Sequence, residues 1–412
     1  MNVTALDESG RPVDWWFMYK VPLLGAGTNN DAATGYEYVY YDSKINTANG
    51  KVDKSPFTID GGKGALNRTL DSVFKNPSST TGWILYNDEA PEGAKIKDDG
   101  NLGHTKGVLA FDTSSGTAYW LLHSWPKFAD PAAVRDPTPK YGQTYLCLTL
   151  DIATASKIAK QMATHQEPQT FLNRMVNVKK TDPLYLLTQK LDPNAPASTD
   201  VLKLKTTGGL RFWVIAKNRD WNKDFWNELV GPELGEDMDV ETWIRGPIPP
   251  IADSDGVHKT FDIKYINLGA MGAHWVWPET HDHAKWGITL KSNWICVGDI
   301  NRMISQRKRG GGTIAFQNQT LWTGLTKTSF LLAPPGLSRT DAHTVLEATH
   351  VDHHKLMQEA LGTMPAAPAK RARKVAKKAT KKAVRKKTAK KVAKKGVRKT
   401  ARKKIARKKT VR

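Results

Sequence analysis

Residues 103–112 read GHTKGVLAFD, and residues 280–290 read THDHAKWGITL. Each stretch sets a histidine two residues ahead of a lysine at the head of an apolar run: His104 with Lys106, and His283 with Lys285. One such pair means little in a chain with 11 histidines and 62 lysines and arginines. The segments that follow add weight. HTKGVLAF leads through DTSSG into TAYWLLHSWP, and HAKWGITL leads through KSN into WICVGDIN. Both read as hairpins, closing on His123-Ser124-x-Pro126 in the first case and on Gly298-Asp299-x-Asn301 in the second.

The spacing has a geometric meaning. Residues i and i+2 of a strand point to one face, so each imidazole projects with its ammonium. On a helix the same spacing turns the two side chains about 200° apart. This sets aside the third His-x-Lys, His353 and Lys355, because it falls in DAHTVLEATHVDHHKLMQEAL (341–361), which reads as a helix capped by Asp341 and ended by Gly362 and Pro365.

Outward from the hairpins, the elements double. VDWWFMYKV (13–21), GYEYVYYD (35–42) and GWILYND (82–88) read as strands, with ALNRTLDSVF (65–74) as an amphipathic helix. Later, GGLRFWVIAKN (208–218) resembles the first of these strands, NKDFWNELV (222–230) reads as a helix, and FDIKYINL (261–268) as a strand. The fold class is therefore α+β, with two similar lobes about a pseudo-two-fold axis, each a mixed sheet flanked by helices. The boundaries are 1–165 and 166–338 for the lobes, 339–364 for a C-terminal helix and linker, and 365–412 for a tail.

Two lobes so related can bring two imidazoles and two ammonium groups to one point. Two cations can hold the non-bridging oxygens of a phosphodiester. One neutral imidazole can attack phosphorus, and the other, protonated, can donate to the departing alkoxide and then activate water. The lysines supply the positive charge, so neither metal nor cofactor is called for. One histidine must be neutral and one charged, which suits mildly acidic pH. A rival reading takes His274, His281, Asp282 and His283 as metal ligands, but Lys285 on the same face would repel a cation.

Of the 62 basic residues, 24 lie in 365–412, where there is no Asp or Glu. The other 38 stand against 40 acidic residues, so the body is nearly neutral and the formal charge of +22 belongs to the tail. Cys147 and Cys296 are too few for a disulfide framework and fit no zinc spacing. The N-terminal MNVTALDESGRPVDWW has no basic segment leading into an apolar one, so no secretory leader is read. No apolar run reaches about 18 residues, so no membrane span is expected.

VDWWFMYK, LYNDE, GHTKGVL, LLHSWPKF, YGQTYLCL, DHAKW, WICVGDINR and RGGGT occur in this order. Together they resemble the deoxyribonuclease II family, acid endonucleases of animal lysosomes with bacterial relatives, from about residue 10 to 330. The family is similar to the phospholipase D superfamily, so the resemblance implies two phospholipase D-like lobes. It implies metal-independent hydrolysis of double-stranded DNA to 3′-phosphate ends through a phosphohistidine. Carried over by position, the catalytic residues are His104, Lys106, His283 and Lys285, with His104 favoured as nucleophile and His283 as general acid. His123, Asp299 and Asn301 are supporting residues. Cys147 and Cys296 fall where the family has half-cystines, but the partner positions hold other residues, so both thiols are expected free. The superfamily's Asp, at a set interval after the lysine, is replaced by Phe111; Asp112, one further on, is not given its role.

The tail carries doublets such as Lys377-Lys378, Lys381-Lys382, Lys390-Lys391 and Lys394-Lys395, separated by Ala, Thr and Val. Like charges at this density prevent a packed core, so disorder is expected, as in linker-histone tails, along with non-specific DNA tethering. Arg307-Lys308-Arg309 is a smaller basic loop that either touches phosphates or is an ordinary surface loop. The expected partner is double-stranded DNA, not a membrane, with a homodimer left open. The expected location is cytoplasmic or nucleoid-associated, with export by another route left open. Two rivals stand beside the nuclease: a non-catalytic, histone-like DNA-binding protein on a nuclease fold, and another phosphodiesterase, such as a lipase.

Overall fold

Trp15–Lys20 is buried on both faces: Trp15, Phe17 and Tyr19 point one way, Trp16 and Met18 the other. A strand apolar on both sides must lie in a sheet covered on both sides. The computed structural model describes residues 2–27, 31–94, 102–128, 139–189, 195–247 and 257–330. There, this strand is central in an eight-stranded sheet whose order is 170–174, 81–87, 106–112, 117–123, 143–151, 15–20, 37–42, 53–58. Every pair in it is antiparallel. The expected helix at 341–361, with His353 and Lys355, lies outside the described residues, as does the tail with Lys377, Lys378, Lys381, Lys382, Lys390, Lys391, Lys394 and Lys395.

The second sheet has the order 199–205, 211–217, 311–317, 294–298, 286–289, 238–241, 260–262. Five consecutive strands repeat the first sheet in both chain order and spatial order. Strands 15–20, 81–87, 106–112, 117–123 and 143–151 correspond to 211–217, 238–241, 286–289, 294–298 and 311–317. All the neighbouring pairs in both series are antiparallel. The fifth strand of each series runs into a ten-residue helix with a side-chain cap. Asp151 accepts from the Thr154 amide at the head of Ile152–Gln161, and Asn318 from the Leu321 amide at the head of Gln319–Thr328.

The inner faces of the two sheets share one core. Trp15, Phe17, Trp120, Leu146 and Leu148 belong to the same buried cluster as Phe212, Val214, Ile295, Ile314 and Phe316. Helix Ala65–Phe74 covers the outer face of the first sheet, through Leu66, Leu70 and Val73. Phe225, Trp226 and Val230 cover the outer face of the second. Cys147 and Cys296 are buried and free on those separate outer faces, as expected.

The α+β class stands, with differences in detail. The first sheet is antiparallel rather than mixed, and the second has one parallel pair, 238–241 with 260–262. Strand Thr170–Arg174 pairs with Thr81–Asn87, so the first sheet draws a strand from beyond residue 165. FDIKYINL is not one strand. The Ile263 amide still bonds Val240, but the Lys264 amide bonds Phe330, and the chain leaves the second sheet. Tyr265–Asn267 then joins a small sheet with Val276–Pro278 and Ser329–Phe330. NKDFWNELV becomes helical only from Trp226, because Asp224 accepts from the Trp226 amide at its start.

Directly after Asn301, Arg302 is fully buried. Its Nε donates to Asp224 at 3.1 Å and its Nη1 to Asp262 at 2.7 Å, tying the loop that carries Asp299 and Asn301 to the helix and strand behind it. Removing one partner of a buried ion pair strands the other charges in a low-dielectric interior. Arg302→Ala is therefore expected to lower stability by about 3–5 kcal/mol, read as a fall in the denaturant midpoint. A change below about 0.5 kcal/mol would contradict the buried network.

Candidate active site

Lys106 is the first residue of its strand, opposite Asn87 on the neighbouring one. The next residue after Asn87 is Asp88, whose carboxylate bonds the Lys106 ammonium. His104 precedes the strand by two residues, on an extended lead-in. Its amide bonds the Gly310 carbonyl at 2.8 Å, and its Nδ1 lies 2.6 Å from the Asp299 carbonyl oxygen. A carbonyl can only accept, so Nδ1 carries the proton and the Nε2 lone pair is left open. Asp88 Oδ2 stands 3.6 Å from that Nε2. Before His104, the Gly103 amide bonds the Glu167 carbonyl at 2.9 Å, and a side chain at 103 would collide with the Gln166 carbonyl.

The second half is pinned differently. The buried Asp282 carboxylate accepts from the Tyr19 hydroxyl at 2.6 Å, Trp277 Nε1 at 2.7 Å and the Ala284 amide at 2.7 Å. Gly142 from the first lobe lies against it. Its amide bonds the His281 carbonyl at 2.8 Å, and its carbonyl accepts the His283 amide at 2.9 Å. The His283 ring stacks on Tyr141 with centroids 3.9 Å apart and meets Trp243 at 4.4 Å. Its Nε2 is buried with no hydrogen-bond partner. Lys285 Nζ donates to the His283 carbonyl at 2.5 Å.

The four groups converge electrostatically. Burial, then Lys285, Lys106 and His104, push His283 down to about 2. Burial, then Lys106 and Lys285, hold His104 well below the ordinary imidazole range, against Asp88. Burial and Lys106 push Lys285 down to about 7, against Asp88, Asp299 and Asp282. Burial disfavours the Asp88 charge, but Lys106, His104 and Arg309 together hold its carboxyl well below the usual range. Asp299 goes the other way: burial raises it strongly although Lys106 and Lys285 oppose this.

Of the supporting residues, Asp299 holds His104 through its backbone carbonyl, and its carboxylate Oδ2 has no hydrogen-bond partner. Asn301 is buried beside it in sequence, with its Oδ1 likewise unpartnered. His123 ends the strand 117–123, opposite Tyr145, edge-on to Phe128 at 5.0 Å, and its Nδ1 accepts the Trp125 amide at 3.2 Å. It senses Lys106 and Asp88, and burial holds it neutral. Asp112 closes the far end of the strand from Lys106, taking hydroxyls from Ser78, Thr80 and Thr81.

The reading of residues did not single out Asp88, Tyr141 or Trp243. Asp88 follows a strand whose register with 106–112 brings it to Lys106, a pairing no local pattern announces. The 307–309 loop is not a free basic patch. Arg309 Nη2 donates to Asp88 Oδ2 and to the Gly103 carbonyl, both at 3.1 Å, and Lys217 Nζ pins the Arg307 and Arg309 carbonyls at 2.8 and 2.5 Å. Among the described residues, no three or more His, Cys, Asp or Glu side chains are arranged to hold a metal ion.

The deoxyribonuclease II family model matches residues 4–332. A Burkholderia pseudomallei protein assigned as deoxyribonuclease-2 is 59% identical over 350 residues, covering 85% of this chain and 99% of that protein. Rat deoxyribonuclease-2-alpha is 32% identical over 78% of this chain and 91% of its own length. Plancitoxin-1 of Acanthaster planci is 31% identical over 77% and 88%. Among solved structures, yeast tyrosyl-DNA phosphodiesterase aligns with 53% of this chain and 69% of its own at 10% identity, with a TM-score of 0.26, too low to bear on the fold. The match of a whole-body family model, together with relatives at this identity and coverage, makes the chain a member of the deoxyribonuclease II family.

Proposed function

We propose that this family member cuts double-stranded DNA without a divalent metal and leaves 3′-phosphate ends. What carries the reading is the meeting of two imidazole–ammonium pairs from the two lobes, each sensing the other's charge. Lys106 and Lys285 hold the non-bridging oxygens of the scissile phosphate. His104 Nε2 attacks phosphorus, the bond from phosphorus to O5′ breaks, and His283 Nε2 gives O5′ its proton. Water then attacks the phosphohistidine, His283 takes its proton, and the N–P bond breaks to return a neutral His104.

The two histidines are set apart by what surrounds them. His104 faces the Asp88 carboxylate, which offsets the positive charge an imidazole acquires when it is phosphorylated. His283 is held between aromatic rings, and among the described residues no carboxylate is hydrogen-bonded to Nε2, so a proton placed there is readily given up. In the free site burial, and then the neighbouring cations, keep His283 neutral. The entering phosphodiester brings the negative charge that lets it protonate.

Three results are expected. Plasmid nicking at about pH 5 persists in excess EDTA and falls at least about 10³-fold in His104→Ala and in His283→Ala. DNA bound but left intact by the wild type would favour the histone-like reading, and hydrolysis of phospholipid alone the lipase.

The second concerns pH. Lys285, at about 7 beside Lys106, Asp88, Asp299, Asp282 and the buried Glu241, is an ammonium below that pH and neutral above it. kcat/KM should therefore rise steeply as pH falls through about 7, where Lys285 and His283 must both gain a proton, and more gently below it, where only His283 must. Lys285→Arg keeps its charge and should move the alkaline limb upward by at least about one pH unit; an active variant with an unmoved limb would assign the limb to another group.

The third concerns the tail, whose uncompensated basic residues tether the enzyme to its polyanionic substrate. Deleting 365–412 should weaken DNA binding at moderate salt and leave kcat at saturating DNA unchanged. A truncated enzyme that is inactive on saturating DNA would contradict a purely tethering role.

A further inference from the structure

The second lobe carries a cation that the reaction above does not use. Arg245 is exposed, with its guanidinium 5.0 Å from the Trp243 ring. Trp243 in turn meets the His283 ring at 4.4 Å. The arginine is held in place. Its Nη2 donates to the Thr280 carbonyl at 3.3 Å, its amide bonds Met303 Sδ at 3.1 Å, and its neighbour Ile244 is buried in a small cluster with Met303. Its charge reaches His283 and His281. A guanidinium stacked on an indole presents its edge donors outward, a geometry suited to a phosphate.

The position relative to the chemistry selects which phosphate. With His283 as the acid, the side of the site it occupies is the side of the departing O5′, hence of the nucleotide 3′ to the cut. Arg245 flanks His283 through Trp243, whose ring meets both the imidazole and the guanidinium, and its charge is felt at His283, so the arginine goes with His283 on that side. We infer that Arg245, backed by Trp243, is a binding subsite for the phosphate one nucleotide 3′ of the scissile bond. This rests on the nuclease reading and on His283 serving the leaving group. In the first lobe, the place matching Trp243 is taken by Asp88, so the subsite exists on one side only.

A duplex with a single neutral methylphosphonate linkage tests the subsite at one position while leaving the tail's grip on DNA equal for every bond. With the full-length wild type, cleavage at the bond directly 5′ of the neutral linkage should fall about tenfold relative to the other bonds. Arg245→Gln should abolish that local deficit, with all bonds then cut at a similar reduced rate, and Arg245→Lys should retain part of it. No deficit in the wild type, or a deficit that persists in Arg245→Gln, would overturn the subsite. A deficit on the 5′ side instead would place the arginine with the nucleophile and overturn it as well. Should the wild type leave the duplex uncut, the nuclease reading fails, and the subsite fails with it.

Discussion

Two ammonium groups, Lys106 and Lys285, are each only 3% exposed, and the charge of Lys106 is felt at Lys285. Left alone, such a pair would repel strongly in a medium that screens poorly. The Asp88 carboxylate is what makes it tolerable. It bonds Lys106 directly, lies beside His104, and accepts Arg309 from the opposite lobe. The compensation is incomplete by design of the local charges: three cations and an imidazole surround one carboxylate, and the excess waits for an anion. Burial first, and the charge of Lys106 after it, push Lys285 down to about 7.

The same ion pair joins the halves of the molecule. Arg309 closes onto Asp88 and the carbonyls of Leu102 and Gly103, directly ahead of His104. Gly142 reaches from the first lobe to fix the backbone around His283. The segments that carry His104 and His283 are thus each held by the lobe they do not belong to. Away from the site, Thr206 and Gly208 bond the Asp14 carboxylate, and the inner faces of both sheets fill one core, so there is little freedom for the lobes to slide.

The internal repeat is close in topology and loose in chemistry. Matching strands place matching lysines, and even the last residues of the first strand in each series agree: Lys20 and Lys217 are both fully buried and each caps two backbone carbonyls. The symmetry stops beside the histidines. Asp88 in one lobe is answered by Trp243 in the other. An acid–base reaction needs two groups in different protonation states, and identical surroundings would give them the same one.

Much of this was readable from residues alone. The apolar run in 13–21, the alternation in 35–42, the helical face of 65–74 and the two His-x-Lys hairpins are local patterns, because side-chain direction in a strand or helix follows from spacing. From these came the α+β class, the doubled lobe and the four residues at the centre. The split of 261–268 was not readable, since both halves are equally good strand and only the partner, Val240 or Phe330, tells them apart. Asp88, Tyr141, Trp243 and the capture of Arg309 were also hidden, being distant in sequence from the histidines they attend. Tertiary structure alone decided which charges meet, because burial and through-space fields depend on the neighbours a fold assembles and not on the order in which the chain presents them.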